Sequence, residues 1–221
     1  MFEVIPGILF VCYGYAVPLV IYAAMYGIRW KEGLWGNLVS AGCVWFAALI
    51  AAGWWEDVSY LLCFQLPGWM FYADSVALWL IFLLALIILD GCTRAMSGVK
   101  VYFADGLEKA GNGVAIFILA TSLYGFFLFA EDMSPVGAVI NFESLTAEAP
   151  QDTLFVKTLR LLSAGNLSSF TKPVQFDTYQ DFRQGQLMRR QAIMFYAANP
   201  GEKMPSEPPP LRKHAIDDII R

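Results

Sequence analysis

Asp74 and Asp90 are the ionisable groups closest to the most apolar part of this chain, and they frame it. Between them Ser75 to Leu89 is apolar apart from Ser75 itself. On a helix the two carboxylates stand about 24 Å apart, which puts each near one face of a bilayer. Charged groups at membrane depth mark ion paths and proton relays, whereas at the interfaces they mostly mark boundaries. Boundary marking is the favoured reading of both. Asp90 is the one favoured for a part in ion or solute passage. Arg94 lies one helical turn further on, so an i,i+4 ion pair with Asp90 is the plain structural expectation. Gly36 and Ser40 form a second pair at the same spacing, on a face where small residues let helices approach closely in lipid. Asp90, Arg94, Gly36 and Ser40 are therefore the candidate functional residues. Asn37, Thr121 and Ser122 join Ser40 as polar groups inside apolar stretches, suited to hydrogen bonding between helices.

Other chemistries lack their residues. His214 is the only histidine, which excludes haem held by two histidines of this chain and makes a serine triad or a histidine-based metal site improbable. Cys12, Cys43, Cys63 and Cys92 contain no CxxC pair, so neither a zinc site nor a disulfide framework is indicated. There is no phosphate-binding GxxxxGK[ST] loop and no GxSxG elbow. Gly111-Asn112-Gly113 reads as a turn into an apolar span rather than a dinucleotide loop. No catalytic residue, cofactor or metal is expected, and the chain reads as non-enzymatic. A net charge of −4 with no basic stripe argues against nucleic acid.

The elements that must carry these residues are membrane spans. The chain is 57% hydrophobic and 15% charged, against about 25% charged residues in a soluble domain. Up to residue 130 the only Lys and Arg are Arg29, Lys31, Arg94, Lys100 and Lys109. About 20 apolar residues cross the hydrocarbon core, and four stretches qualify: about 4–28, 33–55, 71–91 and 111–130. Phe71 to Met96 is read as the central helix of the bundle. Pro18 kinks the first span. Ala47/Ala51 and Ala48/Ala52 extend the small-residue faces of the second. Glu56-Asp57 opens a loop with a short interfacial helix, and Gln65-Leu66-Pro67-Gly68 is a turn signal. A further interfacial helix is expected around 99–103.

The expected fold is thus all-α: a transmembrane domain over 1–130 and a mostly polar, partly disordered tail over 131–221. In the tail Asp152 caps a short helix ending before Gly165, a second helix covers Gln180 to Ala198, and 200–210 is proline-rich. The basic residues Arg29, Lys31, Arg94, Lys100 and Lys109 fall in two loops on one side. The positive-inside rule puts those loops in the cytoplasm and both termini outside.

In its first 130 residues the arrangement resembles the colicin V production protein (CvpA) family. The resemblance lies in Gly27-Ile28-Arg29 leading into Lys31-Glu32-Gly33-Leu34, a small-residue second span, a third span running into a cytoplasmic segment, and Asp105-Gly-Leu-Glu108-Lys109-Ala-Gly111-Asn-Gly113. The family's basic residue early in the fourth span has no counterpart between Ile116 and Gly125. The resemblance implies a bacterial inner-membrane protein of four helices, involved in toxin production or secretion, with an oligomeric channel as one form of that role. The alternative is a structural or assembly subunit of a larger membrane complex. The expected partners are the bilayer and either further copies or a membrane protein.

The topology makes a labelling prediction. An impermeant thiol reagent added from outside intact cells should modify Cys63 and spare Cys92; the reverse pattern overturns the orientation.

Overall fold

In hydrocarbon every backbone N–H and C=O must find its partner within the protein, and a helix does this within one segment. The computed structural model follows that rule. It describes residues 15–66, 70–96, 101, 103–134, 150–163 and 195, and among them all regular structure is helical. Helix α1 is Val17–Arg29, α2 Gly33–Gln65, α3 Met70–Met96, α4 Asp105–Asp132 and α5 Pro150–Leu162, with a 3₁₀ turn at Trp30–Glu32 between α1 and α2. Three stretches are long and apolar enough to cross a membrane: Val17–Cys63, Phe71–Met96 and Asp105–Glu131. The chain is therefore a multi-pass membrane protein. The expected span at 4–28 is described only from residue 15 onward, where a π-type turn at Tyr15 and Ala16 precedes α1. Pro18 falls in the first turn of α1, directly after the π-type turn at Tyr15 and Ala16.

Cross-helix contacts fix the topology. Ser59 meets Asp74 and Ser40 meets Asp90, so α2 and α3 run antiparallel. Tyr22 meets Thr121 while the Trp30 carbonyl meets Asn112, so α1 is antiparallel to α4. Leu34 meets Glu108 at the starts of α2 and α4, while Trp45 and Phe126 both pack on Phe155 further along. Helices α2 and α4 therefore run parallel.

The central helix is α2, which corrects the expectation that Phe71 to Met96 holds that place. Helix α2 packs closely against both α3 and α4, whose own backbones stay further apart and meet through aromatic side chains. Ala47, Ala48, Ala51 and Ala52 are all buried; two small-residue rows on one helix admit two close neighbours. Helix α3 instead leaves Leu80, Leu83, Leu84, Ile87 and Ile88 exposed. Its high apolarity reflects a lipid-facing surface, not a central position.

Four further expectations are corrected. No loop opens at Glu56-Asp57: α2 continues unbroken to Gln65, because Ser59 and Cys63 are buried and packing carries the helix past its acidic pair. Its 33 residues rise about 50 Å, well beyond the roughly 30 Å hydrocarbon core. Cys63 is thus 7% exposed rather than in an open loop. Its silence toward a thiol reagent would not report sidedness, and the exposed Asp57 is the better place for an introduced cysteine. Gly111-Asn112-Gly113 is not a turn but lies inside α4. A Cβ on Gly111 would come within 2.8 Å of Leu34 Cδ2, so that glycine serves close helix approach. Val101, Phe103 and Ala104 are not helical, and α4 starts at Asp105 with Glu108 in its first turn, where the helix dipole favours acids. The expected helix at 180–198 and the proline-rich segment lie outside the described residues, Phe195 excepted.

The core extends beyond residue 130. Phe155 and Leu159 of α5 are buried in the same cluster as Trp55, Phe82, Phe126 and Phe129. The Phe82 and Phe126 rings stack with centroids 3.6 Å apart. Phe155 packs on Trp45 at 4.9 Å and lies over Gly125, where a Cβ would approach its ring to 2.7 Å.

Gly125→Ala should therefore destabilise the protein by about 1–3 kcal/mol, although alanine alone favours a helix by about 1 kcal/mol. Thermal unfolding in detergent would show this, and Phe155→Ala in the same chain should cancel most of the clash. Additive losses would show that the two positions are independent.

Candidate functional site

At the end of the bundle where α1 gives way to α2, polar side chains from four helices and the turn converge. The turn starts with Arg29, whose φ of −98° and ψ of −5° end the regular helix. It closes at Gly33, whose φ of +81° is the left-handed region that glycine adopts without penalty. A Cβ on Gly33 would also lie 2.6 Å from Glu108 Oε1. That carboxylate accepts the Leu34 N–H at 2.9 Å and the Phe103 N–H at 3.4 Å. Helix α2 lacks a side-chain cap of its own. Glu108, from the first turn of α4, supplies one across the bundle, answering a donor that a helix start leaves unpaired.

Beneath the turn sits an amide pair. Asn37 is fully buried. Its Nδ2 donates to the Arg29 carbonyl at 2.9 Å, the Gly33 carbonyl at 3.0 Å and Asn112 Oδ1 at 2.7 Å. Asn112 Nδ2 donates in turn to the Trp30 carbonyl at 2.9 Å. Three acceptors around one nitrogen fix which way the amide points. Its Oδ1 takes no hydrogen bond among the described residues.

Beside the amide pair runs a closed circuit of charges. Arg94 Nε donates to Asp90 Oδ2 at 2.7 Å, the ion pair that the i,i+4 spacing implies. Ser40 Oγ reaches Asp90 Oδ1 at 3.5 Å and accepts from the Arg29 guanidinium. Glu32 lies 3.8 Å from both Arg29 and Arg94. Two cations, two anions and a hydroxyl thus close a ring that ties α1, the turn, α2 and α3 together. Gly36 lies under it: a Cβ there would sit 3.4 Å from Glu32 Cβ. Exposed members of such a ring contribute little singly; Arg29 is the best shielded, its side chain 14% exposed.

The ring and the cap wall a cleft of about 370 Å³. Small-molecule sites fall in roughly 300–1,000 Å³. All four candidate residues, Gly36, Ser40, Asp90 and Arg94, line it, with Lys31, Glu32, Glu108 and Lys109 among the others. Spacing alone paired Asp90 with Arg94 and Gly36 with Ser40. It did not join the pairs, and it missed Arg29, Glu32, Glu108, Lys109 and Asn112. The one available signal for Glu108 was an acid three residues into a helix.

The remaining polar groups lie elsewhere. Asp74 accepts from Ser59 at the far end of α2 and is 7% exposed, a buried partner more than a surface marker. Thr121 bonds Tyr22 of α1 at 2.6 Å, as an interhelical role requires, but Ser122 bonds its own helix at Ile118. Among the described residues no group of three metal-ligating side chains occurs.

Comparison with protein-family profiles, with curated proteins and with solved structures gives no match to this chain.

Asn37→Ala removes the shared donor and leaves the buried Asn112 Oδ1 without it. A loss of about 1–3 kcal/mol is expected, read by thermal unfolding in detergent. Asn37→Asp, though isosteric, should be no better, because it sets a carboxylate against three acceptors. An aspartate variant as stable as the parent would refute this account of the amide pair.

Proposed function

We propose that this chain is a non-enzymatic membrane protein of the CvpA type, acting in toxin production or secretion from the bacterial cytoplasmic membrane. One observation carries the reading. The two short segments on which the family resemblance rests lie far apart in sequence yet form a single contact. Glu108 caps Leu34, Gly111 receives Leu34, and Asn112 holds the Trp30 carbonyl and Asn37. In this reading the basic end faces the cytoplasm, α1 belongs to a first span over about 4–28 that makes the count four, and both termini lie outside.

The channel form of the proposal needs more than one copy. Among the described residues the space between α2, α3, α4 and α5 is filled by Trp55, Phe82, Phe126 and Phe129. A conducting path would therefore run between copies, and the small-residue faces of α2 are already occupied by α3 and α4. The second reading is an assembly subunit seated against a larger membrane complex, which would replace lipid on the exposed Leu80, Leu84 and Ile87 ridge of α3.

Reconstitution of the purified chain into planar bilayers separates the two. Discrete conductance from a cross-linked oligomer is expected if it forms a channel; silent bilayers containing the verified oligomer would remove that form. An assembly subunit should instead co-purify stoichiometrically with partners after gentle extraction.

A further inference from the structure

We propose that the cleft at the basic end of the bundle binds a phosphate-bearing anion through the ammonium groups of Lys31 and Lys109. The proposal stands on the charge left over in the cleft and is independent of the toxin-secretion reading. The lining carries three carboxylates and three cations, so its formal charges balance, but their commitments do not. Glu32 is shared by Arg29 and Arg94. Asp90 is held by Arg94 and Ser40. Glu108 accepts two backbone N–H groups. Each lining carboxylate is thus engaged, and so is Arg94. Lys31 and Lys109 alone among the ionisable lining residues make no hydrogen bond or ion pair with the described residues. The Arg29 guanidinium, a member of the ring outside the cleft lining, brings the cations around the cleft to four against three carboxylates.

What the cleft still offers is therefore donors and positive charge, in a volume larger than a single ion requires. A phosphate matches that offer, since its anionic oxygens accept hydrogen bonds and a lysine binds it as a point charge. The position of the cleft narrows the source. Trp30 and Trp35 line it and are 40% and 43% exposed, the amphipathic rings that settle at headgroup level. A basic pocket between helices at that level suits the headgroup of an anionic phospholipid. Acyl chains would then have the exposed apolar surface of the helices beside it. Soluble phosphate compounds share the recognised group and are separated from lipid by experiment.

The test uses the full chain in detergent micelles. The probes are phosphatidylglycerol, phosphatidylethanolamine with the same acyl chains, glycerol 3-phosphate and inorganic phosphate. Native mass spectrometry counts retained lipid, and thermal unfolding reports stabilisation by each probe. The parent and Lys157→Gln, which removes a lysine outside the cleft, should retain phosphatidylglycerol in preference to phosphatidylethanolamine. Lys31→Gln combined with Lys109→Gln should weaken that retention roughly tenfold or more. Because neither lysine bonds to the described residues, unfolding without a probe should be unchanged. If glycerol 3-phosphate or inorganic phosphate displaces the lipid with the same dependence on the two lysines, the site stands and its ligand is soluble. Equal retention of the two lipids overturns the proposal, as does full retention by the double variant or an equal loss in Lys157→Gln. Conductance is recorded separately, so failure here and failure of the channel reading are distinguishable.

Discussion

Close packing against α2 is the constraint on which the rest of the bundle depends. Between helices in lipid there is little hydrophobic drive, since the tails are as apolar as leucine; association rests on contact at short range and on interhelical hydrogen bonds. Rows of alanine on α2 let α3 approach on one side and α4 on the other. A large side chain in either row would hold one neighbour off. The aromatic residues then do the filling: Phe82 and Phe126 stack across the gap, and Phe155 of α5 closes it from outside.

Packing alone leaves helix ends unsatisfied, and the basic end shows how that is resolved. The chain reverses within a few residues, leaving helix-end donors and carbonyls in need of partners at that end of the bundle. Glu108 takes the Leu34 N–H in the first turn of α2, while Asn37 and Asn112 take the carbonyls of Arg29, Gly33 and Trp30. These contacts set the register between α2 and α4. They also bring six charged side chains to the rim of one cleft. The cleft is a consequence of making a tight turn where four helices meet, and its unspent charge sits on the two lysines the turn does not use.

Much of this was legible in the residues and some was not. The Asp90–Arg94 pair follows from helical spacing and is present. Thr121 was placed as an interhelical partner and bonds Tyr22. The acidic pair Glu56-Asp57 suggested a loop because charge usually ends a span, but burial of Ser59 and Cys63 carries the helix onward. Gly111 and Gly113 suggested a turn because glycine breaks helices in isolation. In place, the gain from letting Leu34 against the backbone outweighs that propensity. The apolar run at 75–89 suggested a core, yet in a membrane the most apolar helix is the one that faces lipid.

By itself the sequence determined that the chain crosses a membrane and roughly where its helices lie. Apolarity and backbone hydrogen bonding are local properties, readable over some twenty residues. Only the tertiary structure decided which helix is central, that α5 joins the core, and that Arg29, Glu32, Ser40, Asp90 and Arg94 form one ring. Those outcomes depend on partners as far apart as Asn37 and Asn112, 75 residues distant. No local pattern encodes which small-residue faces will meet, because that depends on how every helix fits against the others at once.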